Sequence, residues 1–114
     1  MRNRLRSFSH AFRGLSILLR TQTNARIHLA ATVAVVVLAI LLEVKPIEWA
    51  VLLLAVSVVW SAEALNSSLE QIADRASPEW HPLVQKAKDM AAGAVLLAAI
   101  AAAAVGVLVF YKHL

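Results

Sequence analysis

The sequence predicts an all-α integral membrane protein, with an N-terminal amphipathic surface helix followed by three transmembrane helices. Three observations carry this expectation. Of the 114 residues, 61% are hydrophobic and the mean hydropathy is +0.72, against roughly 45–50% apolar residues in soluble domains. A soluble domain this short has too little interior to hide that surface. The apolar residues are gathered into three long runs, and Arg2, Arg4, Arg6, Arg13, Arg20 and Arg26 all precede the first acid, Glu43. That basic block leads directly into apolar sequence, which makes a lipid surface, not nucleic acid, its anionic partner. The chain has no cysteine, so disulfides and thiolate chemistry are excluded.

The surface helix is expected over residues 1–20. Leu5, Phe8, Phe12, Leu15 and Leu19 recur at helical spacing, and Arg2, Arg6, Arg13 and Arg20 form a second stripe about a third of a turn away. Apolar side chains on one stripe and long basic ones on the other suit a helix lying in the headgroup layer. A cleaved signal peptide would place a short apolar core right after a basic start. Here the apolar core begins only near Ile27, and two further apolar segments follow it.

The spans are expected at about 27–44, 47–70 and 86–111, the whole chain forming one domain. A spanning helix needs about 20 residues. Met90–Tyr111 meets this with no charge at all, whereas the first two runs require His28, Glu43, Glu48 and Glu63 to lie near the interfaces. Glu43 and Glu48 read as plain interfacial charges, and His28 as an interfacial polar residue. Pro46 ends the helical path between the first two spans, and Pro78 and Pro82 bound the second connection. Gly93, Ala94, Ala98, Ala101, Ala102 and Gly106 allow close helix packing in the third span. Lys and Arg concentrate at the N-terminus and between Arg75 and Lys88, while the other side has only Lys45 and Lys112. The positive-inside rule then puts the N-terminus and the second connection in the cytoplasm.

The candidate site lies at the cytoplasmic end of the second span. At about 100° per residue, Glu63, Asn66, Glu70 and Asp74 share roughly a quarter turn of one helical face. Trp49–Trp60, just before them, holds no charge. A carboxylate at the bilayer centre costs about 2.5–3.5 kcal/mol, so acids in such a place usually have a function. Gathered carboxylates repel unless a cation, a shared proton or a lysine joins them. Lys88 and Asp89 return to the same end after the loop. Magnesium fits the oxygen donors, since it bridges carboxylates to substrate phosphates. A further carboxylate can take a proton from an attacking hydroxyl, and a lysine can stabilise a transferring phosphoryl group. These are the parts of a phosphotransferase without a Gly-rich loop. Asp74, Arg75, Lys86, Lys88 and Asp89 are equally readable as solvated loop charges.

Glu63-Ala-Leu-Asn66-Ser-Ser-Leu-Glu70-Gln-Ile-Ala-Asp74-Arg75, followed by Ala87-Lys88-Asp89-Met90-Ala-Ala-Gly93, resembles the bacterial diacylglycerol kinase/undecaprenol kinase family. Its signature is E-x-x-N-[ST]-x-[IL]-E-x-x-x-D, then A-K-D about a dozen residues later. The likeness extends over nearly the whole chain, including Ala11-Phe-Arg-Gly14. It implies a homotrimeric membrane lipid kinase that uses ATP and Mg2+, acts on a lipid alcohol, and shares its sites between protomers. By this resemblance Glu63 is the general base and Glu70 a metal ligand. Lys88, Asp89, Asn66, Asp74, Glu79 and His81 are implied at the nucleotide. Relatives commonly carry a second metal-binding glutamate before the first span, in T-E-x-N. Here Thr21-Gln22-Thr23-Asn24 puts Gln22 in that place, and the neutral amide implies weaker metal binding. Asn24-x-Arg26-Ile27-His28 and His81-Pro82-Leu83 look more like the undecaprenol branch, with diacylglycerol as the alternative acceptor.

A different class of function is a non-enzymatic membrane oligomer of holin type. Size, basic ends and Ala/Gly-rich helices suit it, but it leaves the aligned acids and Lys88-Asp89 unexplained. A cation transporter would place its acids midway through the bilayer; here they lie toward one end.

Overall fold

A computed structural model describes residues 2–114 and contains four helices in series: α1 (Arg2–Thr21), α2 (Thr23–Leu41), α3 (Pro46–Ala76) and α4 (Pro82–Tyr111). The expected helix start at residue 1 lies outside the described residues. The protein is all-helical among the described residues, and α2, α3 and α4 are each long and apolar enough to cross a membrane. It is a multi-pass membrane protein. The 19 residues of α2 rise about 28 Å at 1.5 Å each, close to the roughly 30 Å hydrocarbon core. With 31 and 30 residues, α3 and α4 are about 45 Å long and project beyond it.

Each junction has a local cause. Leu5, Phe8, Phe12 and Leu15 of α1 are exposed, while Leu18 is buried, so the apolar stripe is left for lipid and one residue anchors the helix. The Arg26 side chain donates from Nε to the Leu19 carbonyl at 3.0 Å and from Nη2 to the Arg20 carbonyl. A residue of α2 thus satisfies the free carbonyls at the end of α1.

After α2, Glu43 takes the left-handed conformation with φ 52. The Val44 N–H bonds the Ala39 carbonyl and the Glu43 N–H bonds the Ile40 carbonyl, both at 3.2 Å. This is a Schellman ending, with glutamate where glycine is favoured. Its apolar partner is Val44, which is buried with Ala39, Leu52, Val109 and Phe110 in the main core. Pro46 then opens α3, and Glu48 Oε1 accepts from the Lys45 N–H at 3.0 Å.

Glu48 is more than the interfacial charge expected from sequence. It is buried, and His113 Nε2 lies 3.1 and 3.2 Å from its two oxygens. Lys112 Nζ stands at 3.7 Å. These contacts fasten the end of α4 to the start of α3. At the other end of the bundle, Lys88 of α4 meets Asp74 of α3. The two helices therefore run antiparallel and pack extensively, while α2 lies more loosely against α3.

Candidate active site

Seventeen residues separate Pro46 from Glu63, about 26 Å along α3, so Glu63 sits near the edge of the hydrocarbon layer. Glu70 and Asp74 follow at about 36 and 42 Å, beyond it. Helical continuation alone carries one acid into the buried part of the bundle and leaves the others progressively wetter. Glu63 is only 2% exposed, Asn66 is also buried, Glu70 is half-buried and Asp74 is exposed.

The surroundings of Glu63 are sparse. Ser67, one turn on, donates from Oγ to Glu63 Oε1 at 3.3 Å. Oε2 has no hydrogen-bond partner. Its nearest ionisable neighbour is His28 of α2, whose Nε2 lies 3.6 Å away. Nearly all buried polar atoms are paired, and a buried carboxylate with one long hydrogen bond is a costly arrangement. The Oδ1 atom of Asn66 is likewise buried without a partner.

His28 is braced by its own helix and by α3. The Thr32 hydroxyl donates to the His28 carbonyl at 2.7 Å, and Trp60 Nε1 donates to Thr32 Oγ1 at 3.0 Å. The His28 and Trp60 rings meet edge to face, with centroids 6.5 Å apart and planes at 61°. Below them an apolar groove of about 430 Å³ opens between α2, α3 and α4. His28, Thr32 and Trp60 line its upper end, Val35 and Val59 its middle, and Phe110 its lower end. From His28 to Leu38 it follows α2 for about 15 Å. Asn66 lines a different groove, shared with Ala91 and Ala94 of α4.

The remaining candidates divide into two groups. Lys88 Nζ is paired with Asp74 Oδ1 across the loop, which brings the two halves of the sequence pattern into contact. Asp89 Oδ1 accepts from Gln85 Nε2 at 2.9 Å, on its own helix. Glu79 and His81 are exposed in the connecting loop. His81 caps α4, its Nδ1 accepting from the Leu83 N–H at 3.1 Å. Gln22 is half-buried between α1 and α2, and its amide donates to Thr21 Oγ1 at 3.5 Å. Among the described residues, no three His, Cys, Asp or Glu side chains stand close enough together to hold a metal.

Sequence reasoning missed His28 and Ser67 as neighbours of the acid, and Thr32 and Trp60 as neighbours of His28. The available signal was that His28 is the sole ionisable residue between Ile27 and Leu42, which is itself a marker of function inside a spanning helix.

Comparison with known proteins agrees with this layout. The family model described as "Prokaryotic diacylglycerol kinase" matches residues 9–110, from the surface helix to the last turn of α4. The chain is 38% identical over 109 residues to an undecaprenol kinase of Bacillus subtilis, covering 96% of this chain and 89% of the relative. It is 48% identical over 105 residues to a diacylglycerol kinase of Synechocystis, covering 91% of this chain and 60% of that relative. It is 31% identical over 109 residues to the diacylglycerol kinase of Escherichia coli K12, with 96% and 89% covered. A buried acid at the membrane edge, a Lys-Asp pair closing the loop above it and a match from end to end have one common explanation: the chain belongs to the prokaryotic diacylglycerol kinase family.

Proposed function

We propose that the protein transfers the γ-phosphoryl group of ATP to the hydroxyl of a membrane lipid alcohol, with Glu63 as general base and undecaprenol preferred to diacylglycerol. The observation that carries this reading is Glu63 Oε2, a buried carboxylate oxygen without a hydrogen-bond partner beside the head of an apolar groove. Such an atom is suited to take a proton from a hydroxyl delivered on a hydrocarbon chain. The O–H bond breaks toward Glu63, the alkoxide oxygen bonds to the γ-phosphorus, and the bond to the bridging oxygen breaks to release ADP. Lys88 has three N–H donors and spends one on Asp74. The other two are available to charge on the phosphoryl oxygens. Asn66, Asp74, Glu79, His81 and Asp89 complete the proposed nucleotide-binding set.

Magnesium fits the donors present. Glu70 is a half-buried carboxylate one turn beyond the unpartnered oxygen of Asn66, and magnesium binds through one or two carboxylates, phosphates and retained waters. Glu70 and Gln22 would hold it, and it would neutralise phosphate charge. The sparse ligand set of a single chain supports sites shared between protomers of a homotrimer. The basic N-terminus and the Arg75–Lys88 connection support an active site facing the cytoplasm across the bacterial inner membrane.

The preference for undecaprenol rests on the groove and on likeness to the B. subtilis enzyme. A diacylglycerol brings two ester groups beside its hydroxyl, and buried esters need hydrogen-bond donors. Below His28, Thr32 and Trp60 the groove lining is entirely apolar, which suits an isoprenoid chain. The test is incubation of purified protein with labelled ATP, magnesium and each lipid alcohol, followed by separation of products. Phosphorylated undecaprenol in excess of phosphatidic acid is the expected result. The reverse ratio would reassign the acceptor, and no lipid-dependent ADP release would end the kinase reading.

A further inference from the structure

His28 stands at a point the proposed chemistry has not yet used. It is the residue that both lines the head of the apolar groove and approaches the unpartnered oxygen of Glu63, at 3.6 Å. That distance is too long for a hydrogen bond, and Glu63 Oε2 is closed off from solvent. Glu63 itself does not line the groove, and His28 is the groove residue that stands against its carboxylate.

We propose that His28 is the residue that receives and orients the acceptor hydroxyl: an alcohol with its hydrocarbon chain in the groove reaches Glu63 Oε2 by hydrogen-bonding to the His28 ring. Three features support a built position. The Thr32 hydroxyl bonds the His28 backbone carbonyl and is itself held by the Trp60 indole N–H, which fixes the backbone at His28 against α3, and the Trp60 ring meets the imidazole edge to face. Apart from His28, Thr32 and Trp60 the groove walls are apolar, and the Thr32 hydroxyl and Trp60 N–H already spend their protons on hydrogen bonds, so a hydroxyl at the head of the groove finds its free partner at His28. The ring can meet the hydroxyl as donor or acceptor according to its tautomer, whereas ionised Glu63 can only accept. In the transfer step His28 is unchanged: the proton passes from the alcohol oxygen to Glu63 Oε2, and the freed oxygen attacks phosphorus. The role rests on the lipid-kinase reading and adds to it the residue that selects for a hydroxyl at the head of the chain.

The test compares native protein with His28→Phe, which keeps a ring without hydrogen bonding, and His28→Gln, which keeps a donor and an acceptor. In lipid nanodiscs, His28→Phe should lower kcat/KM for the lipid alcohol by about tenfold or more, the size expected for one lost hydrogen bond, with KM for ATP unchanged. His28→Gln should recover most of the loss. Equilibrium binding of the alcohol and its deoxy analogue supplies a readout independent of turnover. Native protein should favour the alcohol, and His28→Phe should bind both equally. If the phenyl ring lowers the melting temperature, His28→Leu takes its place in the same comparisons. Native lipid kcat/KM in the Phe or Leu variant, Gln no better than Phe, or a parallel rise in KM for ATP would each overturn the role of His28 while leaving the kinase reading intact. Absence of lipid-dependent turnover in native protein would remove both.

Discussion

Lys88, in the second turn of α4, donates a hydrogen bond to Oδ1 of Asp74, in the last turn of α3. The two residues lie fourteen positions apart, on either side of a loop bounded by Pro78 and Pro82. Asp74 is exposed and Lys88 half-buried, so the pair is worth at most about 1 kcal/mol to the fold. Its value is positional: it holds the ammonium group over the end of the bundle where Glu63 lies.

Removing the ammonium and removing its holder should therefore have different consequences. Lys88→Ala is expected to lower kcat by on the order of 10²-fold, as when one donor to a transition-state oxyanion is lost. Asp74→Asn should raise KM for ATP several-fold and leave KM for the lipid unaltered, with little change in melting temperature. Steady-state kinetics with each substrate varied in turn checks both expectations. Equal effects of the two variants on kcat would show that Asp74 acts directly and not through Lys88.

Glu63→Gln should reduce turnover by about 10²–10⁴-fold, the contribution of a positioned general base. The same change replaces a poorly paired buried carboxylate by a neutral amide, which removes the cost of holding a charge out of water. Unfolding in detergent should thus occur at the native temperature or higher, while phosphorylated lipid disappears from the products. A variant that melts early and retains activity would contradict both halves.

Gln22 occupies a position where a carboxylate would add charge for a divalent cation. The Gln22→Glu variant should reach half-maximal activity at a lower magnesium concentration, at constant ATP, than the native protein. Titration of magnesium against initial rate measures it, and superimposable curves would show that residue 22 has no part in binding the ion.

Glu43 is the position most open to stabilisation. A left-handed backbone costs a residue with a side chain about 1–2 kcal/mol, and glycine escapes that penalty at the expense of a more flexible unfolded chain. Glu43→Gly should stabilise the protein by about 0.5–1 kcal/mol. Thermal unfolding in detergent should show a higher midpoint with unaltered turnover, because the turn lies at the opposite end of the bundle from Glu63.

Much of this molecule was readable before folding because membrane physics leaves few options. Apolar runs of sufficient length must be helices, and Pro46, Pro78 and Pro82 mark where those helices break. The shared face of Glu63, Asn66, Glu70 and Asp74 followed from helical spacing. What could not be read was which side chains stand opposite them. That depends on how α2 rotates and tilts against α3, and the apolar surface of α2 is nearly uniform around its circumference, so no stripe declares the contact side. His28 beside Glu63 and Trp60 reaching Thr32 depend on that unadvertised rotation, and Glu48 clasped by His113 depends on how the end of α4 meets the start of α3. Arg26 is a similar case: its charge suggested lipid, yet its guanidinium is spent closing α1.

The loose fit of α2 against α3 leaves the apolar groove open along its flank. A molecule entering from that side arrives by diffusion in two dimensions, out of the oily layer and not out of water. For such a protein the quantity that sets occupancy is the mole fraction of the visitor among surrounding amphiphiles. Adding inert detergent at a fixed total amount of substrate thins that population, and saturation curves drawn against bulk molarity will shift with every change in micelle content.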